Sequence, residues 1–411
     1  MKKLIALILA LVLALSCFAG CAAQESEEPA ATDKEETAAP AEDAAEDAAD
    51  ESAEFDGEMT LALLTFLTGT GRETGDRQIY AAQMAADKIN AEGGVNGAKL
   101  VVEPYDVGAD QQTCINAAQL AANTEGISGM IGVFQSNYNI AYSDIVKEAG
   151  IPTMCLGNSY SVRDLNNPYM WIPRVCDDTT SEAVAKRAIE NGFKNPCIMW
   201  MTNAAGQSCH DVIARVYEEE GLPIGLDIGF NVENETDYTP YVTQFLNSDC
   251  DSIIILSYSN QGAPEIITLL NQYGYDMTKV TGNTPLFSSD LTDMVGEMVN
   301  GISGVSEFSP LADRAATKAY VEAFDAYQDT FTAAWTDAVT YDAVLLLAEA
   351  ARLAGANDPE SINNGLAMIE NYTDGALTDY NYNEDHCLGS TLLNTVFDGI
   401  EITFTDVYEV R

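Results

Sequence analysis

Short apolar runs alternate with longer amphipathic stretches along most of the chain after residue 58. The runs are rich in Ile, Leu, Val and Met, which is typical of strands that are buried on both faces of a parallel sheet. The intervening stretches carry apolar residues three and four positions apart, which predicts amphipathic helices. Together these patterns predict strands over 59–66, 100–105, 128–134, 151–155, 196–201, 226–232 and 252–258, and helices over 77–90, 110–121, 139–149, 180–191, 207–220, 241–247 and 262–273.

The last hundred residues are predicted to contain more helix, over 314–329, 340–353 and 359–370, before two final strands over 392–397 and 400–407. Strands that recur with helices between them indicate βαβ crossovers and open, doubly wound sheets. The chain has more strands than one such sheet usually holds. We therefore predict an α/β fold with two doubly wound parallel-sheet lobes and a ligand cleft at the carboxyl ends of their strands.

The first twenty residues have the pattern of a signal peptide. Lys2 and Lys3 precede an apolar run over 4–15, which is too short to span a bilayer comfortably. The small residues before Cys21 resemble a bacterial lipobox, which implies cleavage at that point and a lipid on Cys21. A plain secretory signal with Cys21 as a bystander is the alternative. The lipobox predicts a protein held by its lipid at the outer face of the cytoplasmic membrane.

An acidic stretch follows the predicted signal peptide. Residues 22–56 contain 12 Ala, 14 Asp and Glu together, one Lys and only one large apolar residue, Phe55. Such a segment buries too little apolar surface to order itself, and repulsion between its charges keeps it extended. Residues 21–57 are therefore predicted to be a tether, with a partial helix as the alternative.

The charge excludes several classes of partner. With 19 Lys and Arg against 64 Asp and Glu, the formal charge is −45, so a nucleic acid or an anionic surface is excluded as a partner. The two histidines argue against His-based catalysis and multi-His metal sites. Of the nine cysteines, Cys17 falls in the predicted signal peptide and Cys21 at the lipid, and the seven others have no CxxC spacing. They are predicted to be mostly buried thiols with at most three disulfides, and not a metal site.

The most specific pattern begins after the first predicted strand. A Gly-rich loop with Gly69, Gly71 and Gly75 leads into a helix that ends in an Ile-Asn-x-x-Gly-Gly-x-x-Gly turn over 89–97. This order resembles the opening of the branched-chain amino-acid (Leu/Ile/Val) binding proteins, the type I solute receptors of ABC importers. The resemblance continues in the same order at Tyr105-Asp106, Gly132 to Ser136, Gly150-Ile151-Pro152 and Tyr341-Asp342-Ala343.

The same loop also has to be compared with a dinucleotide-binding fingerprint. Its glycines read GxGxxxG, one residue longer than GxGxxG, and no acidic residue ends a strand near position 95 to bind a ribose. The chain also lacks the GxxxxGK[ST], HExxH and GxSxG strings. The motifs therefore favour a binding protein without a cofactor.

The resemblance implies a type I periplasmic-binding fold, in which three crossing segments join the two lobes. We expect lobe 1 to comprise 58–177 plus 308–385 and lobe 2 to comprise 178–307 plus 386–411. The crossings are expected near 175–180, 306–310 and 380–390, and closure of the cleft is expected to be a hinge motion about them.

Ligand-binding residues are also implied by the resemblance. Ser136, followed by Asn137, falls at the family's carboxylate-binding serine at the start of a helix, where peptide N–H groups bind an anion without a basic side chain. Gly157, Asn158 and Ser159 fall in the next strand-end loop. The alternative is that Ser136 and Ser159 only cap helices.

The second lobe departs from the family's pattern. Tyr258 matches an aromatic residue that closes over the ligand, but Thr284 stands where the family has the acid that pairs with the ligand's ammonium, and Ala205 stands where another aromatic residue is usual. A buried ammonium needs a counter-charge or several acceptors. Either another acid takes this role or the ligand lacks an ammonium. The small side chains of Ala205 and Thr284 would also leave extra room, which favours a larger ligand. The candidate acids are Asp177, Asp178 and Glu307.

The resemblance thus predicts a monomeric, lipid-anchored protein that captures an amino acid or related small carboxylate and delivers it to an ABC permease. Its only expected membrane contact is the anchor, and no metal, cofactor or catalytic residue is expected. The alternatives are a sensor of the same fold that feeds a signalling receptor and, less favoured, an envelope hydrolase.

Overall fold

The computed structural model describes residues 55–409 except residues 70, 109 and 233. The predicted signal peptide, Cys21 and most of the predicted tether lie outside the described residues. From residue 58 onward, strands alternate with helices as the hydrophobic pattern predicts. The strands are β1 (Glu58–Thr65), β2 (Lys99–Asp106), β3 (Ile127–Ile131), β4 (Thr153–Met154), β5 (Met170–Trp171), β6 (Pro196–Met201), β7 (Leu226–Phe230), β8 (Ser252–Leu256), β9 (Val280–Gly282), β10 (Ser303–Ser306), β11 (Thr391–Asp398) and β12 (Glu401–Glu409). The helices are α1 (Arg72–Ala91), α2 (Gln111–Asn123), α3 (Ser136–Ala149), α4 (Tyr160–Arg163), α5 (Asp177–Glu190), α6 (Ala204–Glu219), α7 (Thr239–Leu246), α8 (Ala263–Gln272), α9 (Ser289–Val295), α10 (Ala315–Tyr327), α11 (Trp335–Ala354) and α12 (Pro359–Leu366).

One sheet holds the first five strands in the order β2-β1-β3-β4-β5, and its neighbouring strands are parallel. Strand β1 lies between β2 and β3, and its apolar run from Leu61 to Leu64 is fully buried, as expected for a strand covered on both faces. Parallel pairing places the carboxyl ends of β1 and β2 side by side, with Thr65 opposite Asp106.

The second sheet has the order β12-β11-β10-β9-β8-β6-β7. Strands β6 to β10 are parallel, but β11 runs antiparallel to β10, and β12 runs antiparallel to β11. The sequence prediction of parallel sheets is therefore incomplete at this edge. Two residues join β11 to β12, and Gly399 there has φ of 63°, a backbone conformation that suits a tight hairpin.

Three short strands were not predicted: β5, β9 and β10. They are two to four residues long, and β9 and β10 include Thr, Ser and Gly, so no apolar run marks them. Their burial comes from neighbouring strands and helices. This is why hydrophobic periodicity alone does not reveal them.

Helix α11 forms much of the core around the five-stranded sheet. Sixteen of its 20 residues are buried, and it packs against α1 and α12. The buried Asp342 on this helix accepts hydrogen bonds from the backbone N–H groups of Ala376 and Leu377 and from the Tyr380 hydroxyl, at 2.6, 2.8 and 2.6 Å. The aspartate of the Tyr-Asp-Ala motif therefore holds a loop in place.

The chain crosses between the sheets after β5, after β10 and before β11, and these three crossings touch one another. The Leu388 N–H donates to the Ile172 carbonyl at 2.9 Å, and the Gly389 N–H donates to the Arg174 carbonyl at 3.3 Å. Glu307 accepts from the Val175 N–H at 2.8 Å. Hydrogen bonds therefore tie the segment after β5 to each of the other two segments.

All seven cysteines among the described residues are free thiols, and only Cys250 is not fully buried. Within the same residues, no helix is long and apolar enough to cross a membrane, and no cluster of three or more His, Cys, Asp or Glu side chains could hold a metal ion.

Candidate ligand-binding cleft

A cavity of about 730 Å³ lies at the carboxyl ends of strands from both sheets. Phe66 and Phe134 follow β1 and β3, Met201 ends β6, and Leu256 ends β8. This is where open α/β sheets bind ligands, because loops and helix N-termini converge there. The cavity is large for a small aliphatic molecule and falls within the usual size range of small-molecule sites.

An aromatic wall comes from the five-stranded side. Phe134 and Trp335 lie edge to face with their ring centres 5.2 Å apart, and the Arg174 guanidinium lies 4.6 Å from the centre of the Trp335 ring. Phe66 lines the same cavity. Together these rings offer apolar surface to a ligand side chain.

Ser136 begins α3 at the wall of the cavity and is 1% exposed. The first N–H groups of a helix lack partners within the helix and carry a partial positive charge, so this end of α3 suits a carboxylate. The Ser159 N–H donates to the Ser136 hydroxyl oxygen at 3.4 Å. The neighbouring position 157 has room only for glycine, because an added Cβ would lie 2.7 Å from the Ser136 Oγ and 2.8 Å from the Phe134 carbonyl oxygen.

A group of charged side chains lies at the base of the cavity. Arg174 and Glu307 form a buried ion pair, in which the Arg174 Nε donates to a Glu307 carboxylate oxygen at 2.8 Å. Asp177 lines the cavity, is 4% exposed and begins α5. Burial raises the pKa of Asp177 to about 7, although the charge of Arg174 opposes this shift.

Four of the predicted ligand-binding residues line the cavity: Ser136, Asn158, Ala205 and Tyr258. The Asn158 side chain is engaged on both sides, because its Nδ2 donates to the Val175 carbonyl at 2.7 Å and its Oδ1 accepts from Arg174 at 3.0 Å. The Tyr258 hydroxyl accepts from the Asn203 Nδ2 at 2.9 Å.

The other predicted ligand-binding residues are not among the described residues that line the cavity: Asn137, Gly157, Ser159, Thr284 and Asp178. Asp178 pairs instead with Arg163 at 2.6 Å. The Thr284 hydroxyl lies 3.4 Å from a Glu307 carboxylate oxygen and accepts from the Glu307 N–H at 3.2 Å. Among the three candidate acids, the cavity therefore presents Asp177.

Several lining residues were not singled out as ligand-binding from the sequence, although most lie directly after a strand or at the start of a helix. That position is the signal by which they could have been found. They include Phe66, Phe134, Met201, Asn283 and Trp335.

The Gly-rich loop has a packing role in this structure. An added Cβ at Gly75 would lie 1.8 Å from the Phe66 carbonyl oxygen, and one at Gly71 would lie 2.6 Å from the Phe66 ring. These glycines let α1 approach the end of β1. Close packing therefore explains their presence, and no phosphate-binding role is needed to explain it.

Elements around the two sheets also touch each other beside the cavity. The Ser159 hydroxyl donates to the Ala204 carbonyl at 3.2 Å, and the Tyr160 N–H donates to the Ser208 hydroxyl at 3.3 Å. Arg77 on α1 pairs with Asp290 on α9, with Nη2 and Oδ1 3.0 Å apart. The cleft is thus bridged by polar contacts from several elements.

Known proteins share this fold and are similar to this chain in sequence. The chain is 27% identical over 302 residues to Leu/Ile/Val-binding protein homolog 1 of Brucella abortus (strain 2308), which covers 70% of this chain and 78% of that protein. The branched-chain amino acid transporter substrate-binding protein LivJ of Streptococcus pneumoniae, solved with isoleucine, superposes with a TM-score of 0.76 at 21% identity, covering 86% of this chain and 99% of that one. A solute-binding protein of R. palustris, solved with benzoate, superposes with a TM-score of 0.77 at 16% identity, covering 86% and 97%.

These likenesses confirm the predicted type I periplasmic-binding fold, with two mainly parallel sheets in two lobes. Residues 58–392 match the family described as periplasmic binding protein. This match covers most of the chain and begins at the first strand. The chain therefore belongs to the periplasmic binding protein family.

Proposed function

We propose that this protein is a lipid-anchored, extracellular solute-binding protein that captures an amino acid or related small carboxylate and delivers it to an ABC importer. The relatives support this proposal: one is named as a homolog of the Leu/Ile/Val-binding protein, and one is the substrate-binding protein of a branched-chain amino acid transporter. The isoleucine and benzoate in the two neighbouring structures share only a carboxylate and an apolar body. A binding role without catalysis fits the family.

The observation that carries the proposal is the placement of Ser136. Its buried side chain, at the start of a 14-residue helix, faces a 730 Å³ cavity between two sheets. We assign the ligand carboxylate to this end of α3, where the serine hydroxyl and the first peptide N–H groups act together. The apolar body of the ligand then lies against Phe134 and Trp335, which line the same cavity.

Closure is proposed to bring lobe 1 (58–177 plus 308–385) against lobe 2 (178–307 plus 386–411). Tyr258 and Ala205 line the cavity from the second lobe. The hydrogen-bonded crossings at Arg174, Glu307 and Gly389 are the natural hinge, since they lie where all three chain segments pass between the lobes.

The proposal is tested by isothermal titration calorimetry of the purified protein against the common amino acids and a series of apolar carboxylates. At least one compound is expected to bind at a 1:1 ratio, and at a hundred times its dissociation constant it adds about 2.7 kcal/mol of stability. Failure of every compound with a free carboxylate, together with binding of carboxamide analogues, would refute the assignment of the carboxylate to α3.

A further inference from the structure

We propose that the Asp177 carboxylate and the Asn283 amide oxygen bind the ligand's amino group together, so that the ligand is a zwitterionic amino acid rather than a simple carboxylate. This inference rests on the proposed binding function and defines its substrate class. It moves amine recognition away from position 284, where the sequence resemblance places it.

Asn283 supplies a buried acceptor without a partner. It lines the cavity and is 8% exposed, and its Oδ1 has no hydrogen-bond partner among the described residues. Its Nδ2 donates to the Cys209 sulfur at 3.5 Å, which leaves the Oδ1 for another donor. A buried acceptor left without a donor is costly, so this atom indicates a ligand that carries N–H groups.

Asp177 supplies the negative charge. Among the described residues it forms no ion pair, whereas the arginines around the cavity already have acidic partners: Arg174 pairs with Glu307, and Arg77 pairs with Asp290. Asp177 is also the first residue of α5, where the helix dipole favours an anion. The cavity therefore presents one carboxylate whose charge a ligand cation can neutralise.

Cys209 brings the two acceptors together. This buried thiol interacts with the Asp177 carboxylate and accepts from the Asn283 side chain. The Asn283 side chain contacts this sulfur through its Nδ2, and the Asp177 carboxylate interacts with the same sulfur, so both side chains lie beside one atom. We place the ligand's ammonium group between the Asp177 carboxylate and the Asn283 Oδ1. Thr284 is excluded from this role because its hydroxyl is engaged with Glu307.

The site makes a distinct prediction about pH. Asp177 is faced by Arg174 and Asp178 from its own segment, by Glu307 from the second crossing and by Cys209 from α6. Protonation of its carboxylate removes the counter-charge, so the affinity for an amino acid falls as the pH drops below about 7. A ligand that has a carboxylate but no amino group does not lose affinity in this pH range, because it makes no favourable contact with the ionised Asp177.

The experiment compares amino acids with their deaminated analogues, for example phenylalanine with 3-phenylpropionate and leucine with 4-methylpentanoate, by calorimetry at pH 8 and pH 5.5. At pH 8 the amino acid is expected to bind at least about tenfold more tightly than its analogue. Asp177→Asn and Asn283→Ala are each expected to weaken the amino acid by about tenfold or more while changing the analogue little. Glu190→Gln, a charge change at the exposed end of the same helix, is the matched control and leaves both affinities unchanged.

Each alternative result has a separate meaning. Equal binding of the two ligand classes, or equal weakening of both by Asp177→Asn, would overturn this inference and leave the proposed function standing. Absence of binding for both classes would overturn the proposed function and the inference with it. The melting temperature of the unliganded Asp177→Asn protein shows whether this variant folds. At pH 8 it should be higher than that of the unsubstituted protein, because the substitution removes a buried charge. Lost binding together with a raised melting temperature therefore supports the inference.

Discussion

Arg77 and Asp290 form a buried ion pair that joins α1, beside the five-stranded sheet, to α9, beside the seven-stranded sheet. The Arg77 side chain is 1% exposed, its Nη1 also donates to the Thr332 carbonyl at 2.8 Å, and its guanidinium lies 4.5 Å from the centre of the Phe331 ring. On the proposed closure, opening of the cleft would separate Asp290 from Arg77, while Asp337, 3.9 Å from Arg77, would stay beside it. We therefore expect the pair to favour the closed arrangement of the proposed lobes.

The substitution Asp290→Asn is expected to shift the unliganded protein toward open forms, because it removes the charge that crosses the cleft. Small-angle X-ray scattering should show a larger radius of gyration, and the ligand should dissociate about tenfold faster or more, since a hydrogen bond to a charged group contributes about 1.5–3 kcal/mol. Asp293→Asn, an exposed position on the same helix, is the control. Identical scattering curves for Asp290→Asn and the control would contradict this role.

Ser136→Ala is expected to weaken ligand binding by about 1–3 kcal/mol, since a carboxylate loses a hydroxyl donor at the start of α3. Ser159→Ala should act indirectly and in the same direction, because it removes the hydroxyl that donates to the Ala204 carbonyl and accepts from the Ser161 N–H. Calorimetry measures both. Full affinity in both variants would show that the carboxylate binds elsewhere.

Ala205→Phe is expected to discriminate between ligands by size. Ala205 lines the cavity from α6, and a larger ring there removes space. Overfilling a packed site costs about 1–3 kcal/mol, so ligands with aromatic side chains should lose roughly fivefold to a hundredfold in affinity while alanine-sized ligands lose little. A competition assay against one labelled ligand measures this difference. A uniform loss for all ligand sizes would indicate a distorted fold instead.

The stability of the protein should decrease as the pH rises from about 4 to 7. Burial raises the pKa of Asp177 and Asp337 to about 7 and that of Asp342 to about 6. The folded state therefore holds protons that the unfolded state has released above about pH 4, so unfolding becomes more favourable as these groups ionise. Denaturant unfolding at pH 5 and pH 7.5 measures this effect, and Asp177→Asn should reduce the difference. Greater stability at pH 7.5 than at pH 5 would contradict it.

Cys21→Ala is expected to release the protein from the membrane fraction, because the lipid attached to this residue is the proposed anchor. Partition into detergent Triton X-114, with and without the substitution, measures the change. Cys17→Ala, within the predicted signal peptide, is the control and should leave partition unchanged. Detergent partition of the Cys21→Ala protein would show that another element anchors it.

Much of the fold could be predicted from hydrophobic periodicity, because strands buried on both faces carry continuous apolar runs. Strands β6 and β8 begin at their predicted residues, and α11 differs mainly in beginning at Trp335 rather than at residue 340. Short strands such as β9 and β10 carry no such signal.

The site was less accessible to sequence reasoning, because neighbouring residues at a helix start or a strand end point in different directions. Asp177 faces the cavity while Asp178 pairs with Arg163, and Asn283 lines the cavity while Thr284 contacts Glu307. No periodic pattern holds at these junctions, where the chain changes from one type of element to another.

The sequence by itself determined the alternating architecture and the family resemblance, from which Ser136 was proposed as a carboxylate contact, since these depend on local patterns and their order along the chain. Only the tertiary structure decided which acid faces the cavity and which arginines are already neutralised. That choice depends on contacts between residues far apart in the sequence, such as Arg174 with Glu307, which lie 133 positions apart.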